Sequence, residues 1–188
     1  MLELKDGFML YHGSYCEVKK PNLDKCAKRK DFGQGFYLTS SKDQAESFLR
    51  TSINKALTAG EIENGQGYGY ISVFKFKSSR ELKIHIFENA NIEWLHCIAA
   101  HRKKKEFTEI EHDMEKIDVI AGKIADDATN ATLTAYLGEA FGPVGNKEAD
   151  EFCIKQLLPN KLKDQYCFKT EEALECLEFV RSEKIWLK

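Results

Sequence analysis

Segments with the pattern of β-strands stand at both ends of this 188-residue chain, and most segments with helical periodicity lie between them. Short apolar or alternating runs predict strands at 8–12, 36–39, 70–77, 82–87, 117–121, 165–169 and 179–187. Helices are predicted over 41–60, 129–141, 147–158 and 171–177, and a further helix begins at residue 92. Because strands and helices do not alternate regularly, we expect an α+β fold with largely antiparallel pairing.

Several predicted helices follow a polar residue whose side chain can accept a hydrogen bond from the first turn. Ser41 stands three residues before Gln44, which is the spacing of a capping box. Asn91 and Thr170 precede two other helical segments. The charged stretch 102–116 has no clear periodicity, so no regular element is predicted there.

The balance of charges limits what the chain is expected to bind. Its 28 basic and 30 acidic residues give a formal net charge of −2, so no overall field draws it to nucleic acid or an anionic membrane. The 43% of hydrophobic and 31% of charged residues are typical of a globular protein rather than a disordered one. No apolar run approaches the length that crosses a membrane, and no membrane association is expected.

The cysteines predict neither a zinc site nor a redox dithiol. The six cysteines never stand two to four residues apart, and the N-terminus lacks the basic and apolar segments of a secretory signal. We therefore expect a cytoplasmic protein with free thiols, although secretion without a leader would leave the same sequence. The length fits one domain over 1–188, with a helical insertion at roughly 89–160.

Two short motifs carry the strongest functional signal. One is Tyr11-His12-Gly13-Ser14, and the other is the run Asp-Phe-Gly-Gln-Gly-Phe-Tyr-Leu-Thr at 31–39. The first is similar to the His-Gly-Ser element of the diphtheria-toxin and poly(ADP-ribose) polymerase group of ADP-ribosyltransferases. The second is similar to the Phe-Gly-x-Gly strand of that group, which ends in a tyrosine. No Gly-x-Gly-x-x-Gly turn opens a helix, so a Rossmann site is not expected.

Three later blocks extend the resemblance over nearly the whole chain. They are 92–95, 118–122 with 125–127, and 164–170 with 173–174. In this order the blocks resemble an uncharacterised, mostly bacterial domain-of-unknown-function family of predicted ADP-ribosyltransferases. The resemblance implies that group's fold, in which split antiparallel β-sheets carry flanking and inserted helices.

The resemblance also implies that NAD is a substrate and that no metal ion is needed. His12 would bind the ribose or adenosine hydroxyls, Gly13 would bind the carboxamide through its backbone, and Ser14 would support the adenosine side. Tyr37 would stack on the nicotinamide ring, with Gly35 allowing a tight turn behind it. Each of these residues taken alone is also compatible with a purely structural role.

Arg29 belongs to a basic stretch, residues 28–30, in a segment with the composition of a loop. From such a loop its guanidinium could approach the pyrophosphate of NAD. A solvated surface explains the same run of charges without any ligand.

Residue 165 departs from the pattern of the resembled group. That group places a glutamate at the start of a late strand, where it holds the ribose 2′-hydroxyl and stabilises the cation, and the matching residue here is Gln165. Glutamine keeps the hydrogen bonds and loses the charge, which implies a slower enzyme, a different acceptor or a carboxylate from elsewhere. Asp126 and Asp127 are the acceptor-side candidates for that carboxylate, and the acidic start of a helix explains them nearly as well.

We therefore expect a mono-ADP-ribosyltransferase that cleaves the nicotinamide–ribose bond and transfers ADP-ribose to a macromolecule, protein rather than nucleic acid. A toxin with a neutralising partner protein and a regulatory modifier both fit this expectation. Two alternatives stay open. One is a catalytically weak or inactive NAD- or ADP-ribose-binding module that acts through a partner, and the other is an NAD glycohydrolase.

Overall fold

The computed structural model describes residues 2–103, 105–124, 127–158 and 162–187, and the strands in these ranges form two sheets. In chain order the strands are β1 (Met9–Ser14), β2 (Phe36–Leu38), β3 (Tyr68–Phe76), β4 (Ile84–Ile86), β5 (Val119–Lys123), β6 (Asp164–Phe168) and β7 (Leu177–Trp186). The first sheet has the order β1-β3-β7 and is antiparallel throughout. The second sheet has the order β2-β6-β5-β4, and its β4–β5 pair is parallel. The predicted α+β class with largely antiparallel pairing is confirmed.

The helices lie mostly between the strands of the two chain ends. They are α1 (Lys42–Ser47), α2 (Leu49–Thr58), α3 (Ile92–Arg102), α4 (Thr108–Glu115), α5 (Asp127–Leu137), α6 (Lys147–Leu157) and α7 (Glu171–Glu175), with a 3₁₀ turn at Leu23–Lys25. The region 89–160 holds α3 to α6 and also the strand β5. Within the described ranges no helix is both long enough and apolar enough to cross a membrane.

The predicted helix caps are confirmed. The Ser41 side chain accepts a hydrogen bond from the amide of Gln44, and Asn91 and Thr170 accept in the same way at the starts of α3 and α7. Each bond satisfies an amide that has no partner inside its own helix.

Two predictions about the helices are wrong. The segment 41–60 is not one helix, because α1 ends at Ser47 and α2 begins at Leu49. Phe48, which lies between them, is 40% exposed instead of buried. The stretch 102–116 contains α4, where Ile110 and Met114 pack one turn apart against the apolar core. Charged neighbours hide this short apolar stripe in the sequence.

Three apolar clusters divide the fold into layers. One cluster lies between the two sheets and joins Leu10 and Phe74 of the first sheet to Phe36 and Phe168 of the second. A second cluster packs the other face of the second sheet against α3, α5 and α6, and a third packs the first sheet against α1 and α2. Helices therefore cover the outer face of each sheet.

A buried hydrogen-bonded triad joins three segments of the helical layer. The carboxylate of Asp150, 1% exposed, accepts from the Tyr136 hydroxyl at 2.5 Å and lies 2.6 Å from His96 Nε2. The Tyr136 hydroxyl in turn accepts from the Gly145 amide at 3.1 Å. A buried carboxylate with these partners is favourable only while each partner stays in place.

We expect Asp150→Ala to lower the free energy of unfolding by about 3 kcal/mol, because it leaves the buried Tyr136 hydroxyl and the partly buried His96 ring without their acceptor. Urea titration of the folded fraction measures the change. The matched control is Glu151→Ala, since that neighbouring side chain is 59% exposed and should matter by less than about 0.5 kcal/mol. Equal unfolding midpoints for the two variants would contradict a stabilising role for the triad.

Close packing of β1 against α1 explains why residue 13 is a glycine. A Cβ at this position would lie 2.1 Å from the carbonyl oxygen of Ala45, which belongs to the helix backbone and cannot move aside. The space that a side chain at residue 13 would occupy is therefore taken by α1. Any contact of Gly13 with a ligand would have to use its backbone atoms.

Gly13→Ala is expected to destabilise the protein by roughly 1–3 kcal/mol, because the added methyl group forces β1 and α1 apart. Thermal and urea unfolding measure this loss. Gly67→Ala serves as control, since no atom lies within 4 Å of the added Cβ there. A Gly13→Ala protein as stable as the control would show that the two elements separate without cost.

Candidate functional site

The strands β1 and β2 meet at an isolated bridge that joins the two sheets. Tyr11 and Thr39 exchange two backbone hydrogen bonds there, with N···O distances of 2.8 and 3.0 Å. The bridge places His12 beside β2, where its Nδ1 lies 2.8 Å from the carbonyl oxygen of Tyr37. The imidazole also packs on the ring of Phe36, with 4.4 Å between centroids. The His12 side chain thus contacts β2 at the backbone carbonyl of Tyr37 and at the ring of Phe36.

The hydrogen bond of His12 fixes which ring nitrogen carries the proton. A carbonyl oxygen only accepts, so Nδ1 is the donor and Nε2 of the neutral ring is an acceptor. Burial lowers the pKa of His12, against a smaller upward effect of the bond to Tyr37, so the neutral ring is favoured. Nε2 has no hydrogen-bond partner among the described residues. The half-buried imidazole therefore offers Nε2 to a ligand that donates.

The ring of Tyr37 packs on the other side of β2 from Phe36, towards the helices, because side chains alternate along a strand. Its hydroxyl donates to the carbonyl of Gly33 and accepts from the amide of Phe32, both at 2.9 Å. Burial raises the pKa of Tyr37 well above its ordinary value, so the phenol stays neutral. The phenol ring and the His12 imidazole thus contact opposite sides of β2, so the structure does not bring together the two rings that the resemblance assigns to one NAD site.

Gln165 lies at the start of β6 and is 4% exposed. Its Nε2 donates to Asp31 Oδ2 at 2.8 Å and to the carbonyl oxygen of Lys123 at 3.1 Å. Arg102 of α3 donates to Asp31 Oδ1 from Nε at 2.9 Å and from Nη2 at 2.5 Å. We call Asp31, Arg102, Gln165 and the Lys123 carbonyl the Asp31 network. Gln165 shares its face of the second sheet with Tyr37, because Tyr37 pairs with Cys167, two residues further along β6.

Asp31 and Arg102 are the residues of this site that the sequence did not reveal. Asp31 directly precedes the Phe-Gly-x-Gly motif, and this position is the one signal that could have identified it. Of the predicted acidic candidates, Asp126 lies outside the described residues and Asp127 is the first residue of α5. Their acceptor-side roles stay predictions.

The remaining predicted residues do not belong to the Asp31 network, and each has its own packing or exposure. A Cβ at Gly35 would lie 2.4 Å from Cys167 Sγ, so this glycine lets β2 approach β6 closely. The Ser14 hydroxyl is buried and lies 3.9 Å from Cys16 Sγ. Arg29 is exposed on the loop before β2. Among the described side chains, no group of three or more His, Cys, Asp or Glu is arranged to hold a metal ion.

Two of the clefts on the described surface can be compared with these residues, and neither is lined by His12, Tyr37 or Gln165. The first, of about 520 Å³, is a shallow depression on the outer side of α2. The second, of about 300 Å³, is lined by Lys28, Gly33, Gln34, His101, Glu111, Glu115, Lys169 and Thr170. This second cleft adjoins the loop that holds the Tyr37 hydroxyl, since both include Gly33.

Comparison with known proteins gives one result. A family model described as "Protein of unknown function (DUF3990)" matches residues 8–179, a range that includes both motifs and Gln165. No curated protein and no solved structure matches the chain. Since the family model covers nearly all of the sequence, the chain belongs to the DUF3990 family.

Proposed function

We propose that this protein is an NAD-dependent mono-ADP-ribosyltransferase with an ADP-ribosyltransferase fold. The observation that carries the proposal is the hydrogen bond from His12 Nδ1 to the Tyr37 carbonyl oxygen, at 2.8 Å. It supports a neutral imidazole whose Nε2 accepts from a ribose hydroxyl, beside the strand that carries the motif tyrosine. Two largely antiparallel sheets that meet at this point are consistent with the split sheets of the resembled group.

The reaction breaks the bond between ribose C1′ and the nicotinamide nitrogen. Nicotinamide leaves with the bonding electron pair, and positive charge develops on the ribose, as in glycoside cleavage. A nucleophilic atom of the acceptor then forms a bond to C1′ and loses its proton to solvent. In this proposal Gln165 accepts from a hydroxyl of the nicotinamide ribose, and His12, on the opposite side of β2, accepts from a hydroxyl of the adenosine ribose. Without a carboxylate the cation is stabilised less, and a slow enzyme is expected.

In this proposal the loop of residues 28–34 moves to widen access to the ring of Tyr37, which is partly exposed. The backbone of this loop holds the Tyr37 hydroxyl at Phe32 and Gly33, and the second cleft runs beside it. Displacing the loop would open a face of the phenol ring to nicotinamide. The same movement would bring the exposed Arg29 towards the pyrophosphate.

The acceptor in this proposal is a macromolecule in the cytoplasm. Protein is favoured over nucleic acid, because a net charge of −2 gives no general attraction to phosphates. Both a toxin, which would need a neutralising partner, and a regulatory modifier are compatible with such a reaction.

One observation favours a second candidate, an NAD- or ADP-ribose-binding module with little or no catalysis. Gln165 carries no charge, and the carboxylate that contacts it, Asp31, is paired with Arg102. A site arranged in this way can recognise hydroxyl groups without stabilising a cation strongly.

The purified protein is expected to release nicotinamide from NAD, and His12→Ala and Tyr37→Ala should each reduce the rate on the order of 100-fold. The first variant removes an acceptor for ribose and the second removes the stacking surface for nicotinamide. Chromatography of released nicotinamide gives the rates. His112→Ala is the control, since that side chain is 70% exposed on α4 and should leave the rate unchanged.

Wild-type rates in both site variants would place the reaction elsewhere on the molecule. Calorimetric binding of NAD without release of nicotinamide would support the binding module instead. Labelled NAD added to a lysate separates the remaining outcomes by mass spectrometry, because a transferase yields a labelled macromolecule and a glycohydrolase yields free ADP-ribose.

The rate of nicotinamide release should be nearly constant above the ordinary imidazole pKa of 6.5 and should fall at lower pH. Burial lowers the pKa of His12, so Nε2 becomes protonated and stops accepting only below that value. Initial rates from about pH 5 to about pH 9 test this. A rate that rises as the pH falls would contradict a neutral His12 as acceptor.

A further inference from the structure

The amide of Gln165 can adopt only one orientation in the Asp31 network. A carboxylate oxygen and a carbonyl oxygen both accept hydrogen bonds and donate none. The atom that lies 2.8 Å from Asp31 Oδ2 and 3.1 Å from the Lys123 carbonyl must therefore be Nε2, with its two hydrogens directed at those partners. The orientation follows from the chemistry of the neighbours, and it fixes Oε1 as well.

Arg102 stabilises this orientation of the Gln165 amide through Asp31. Its guanidinium donates twice to Asp31 Oδ1, which leaves Oδ2 to face Gln165. Asp31 is 5% exposed, so its carboxylate is buried and strongly needs hydrogen-bond donors such as Arg102 and Gln165. Arg102 is itself held by Asn130 Oδ1, which accepts from Nη1 at 2.8 Å.

Oε1 of Gln165 is the remaining polar atom of this side chain. It has no hydrogen-bond partner among the described residues. Every fully buried side-chain nitrogen or oxygen of the described chain has such a partner, so Oε1 is not fully buried. The small exposed part of Gln165 therefore includes an oxygen that only accepts.

We propose that Asp31 and Arg102 are positioning residues that hold Gln165 with Oε1 outwards, so that residue 165 selects a ligand group that donates a hydrogen bond. The group would be a sugar hydroxyl, and its identity as the 2′-hydroxyl of the nicotinamide ribose rests on the proposed function. Arg102 acts through Asp31, and Asp31 acts through Gln165, so neither touches the ligand.

Asp31→Asn tests this arrangement without changing the size of the side chain. Arg102 only donates, so the introduced amide would turn its oxygen towards Arg102 and its NH₂ group towards Gln165. Gln165 would then face a donor at residue 31 and an acceptor at the Lys123 carbonyl, so its present orientation would keep only the longer of its two hydrogen bonds. The new NH₂ group would draw Oε1 inwards, and the variant thus weakens the preference for an outward acceptor.

The measurement is the ratio of calorimetric dissociation constants for NAD and for an analogue that lacks the 2′-hydroxyl on the nicotinamide ribose. We expect the wild type to bind NAD about tenfold more tightly than the analogue, as for one hydrogen bond, and Asp31→Asn to lower this ratio towards one. Asp164→Asn is the control, since Asp164 pairs with Lys123 Nζ and does not touch the Gln165 amide. A purely structural role of Asp31 would lower both affinities and leave the ratio unchanged.

A second measurement needs no ligand and judges the orientation separately. Gln165→Glu places a second carboxylate against Asp31 and should lower the Tm by roughly 5 °C or more. Adding Asp31→Asn gives the new carboxylate a donor, so the double variant should be more stable than Gln165→Glu alone. A double variant of equal or lower stability, or one that fails to fold, would overturn the proposed orientation.

The ratio of dissociation constants and the Tm comparison together distinguish failure of the proposed function from failure of the positioning role. If the wild type binds no NAD, the proposed function and the choice of the 2′-hydroxyl fail together, while the Tm comparison still decides whether Asp31 orients Gln165. If NAD binds and the ratio in Asp31→Asn equals that of the wild type, the positioning role is wrong and the function stands.

Discussion

The exchange of backbone hydrogen bonds between Tyr11 and Thr39 determines how the two sheets meet. Thr39 also fixes the start of α1, because its hydroxyl accepts from the Ser41 amide and donates to the Gln44 side chain. His12 follows Tyr11 directly, so its contact with β2 depends on this bridge. A shift of this bridge by one residue would move His12 Nδ1 away from the Tyr37 carbonyl oxygen. The chemistry assigned to His12 therefore rests on one short contact between strands.

Local patterns in the sequence predicted most elements, and packing between distant segments accounts for the errors. A cap such as Ser41 depends on an amide three residues away, so sequence alone identifies it. Phe74 and Phe76 alternate with lysines, which is a pattern typical of a half-buried strand. Most of β3 is instead buried on both faces, because helices cover one side and the second sheet covers the other. No pattern within a strand reports what will pack against its outer face.

At the candidate site, too, local motifs could be predicted from the sequence and contacts between distant residues could not. His12 and Tyr37 belong to compact motifs, and the structure places them on two strands joined by one bridge, with their rings on opposite sides of β2. The contact of Gln165 with Asp31 joins residues 134 positions apart, and that of Arg102 with Asp31 joins residues 71 apart. Arg102 also stands in a basic run that is typical of the polar end of a helix, whereas its guanidinium turns inwards to Asp31. Such networks depend on tertiary packing, which short motifs do not encode.

The charge balance of the Asp31 network explains why a glutamine suits position 165. A buried carboxylate is unfavourable unless its charge is matched and its oxygens are hydrogen-bonded. Arg102 provides the charge at Oδ1 of Asp31, and Gln165 provides a neutral donor at Oδ2. A glutamate at position 165 would leave two carboxylates to share one guanidinium, and one of them would have to bind a proton. How much positive charge this site can stabilise on a ribose therefore depends on Asp31, Arg102 and residue 165 together.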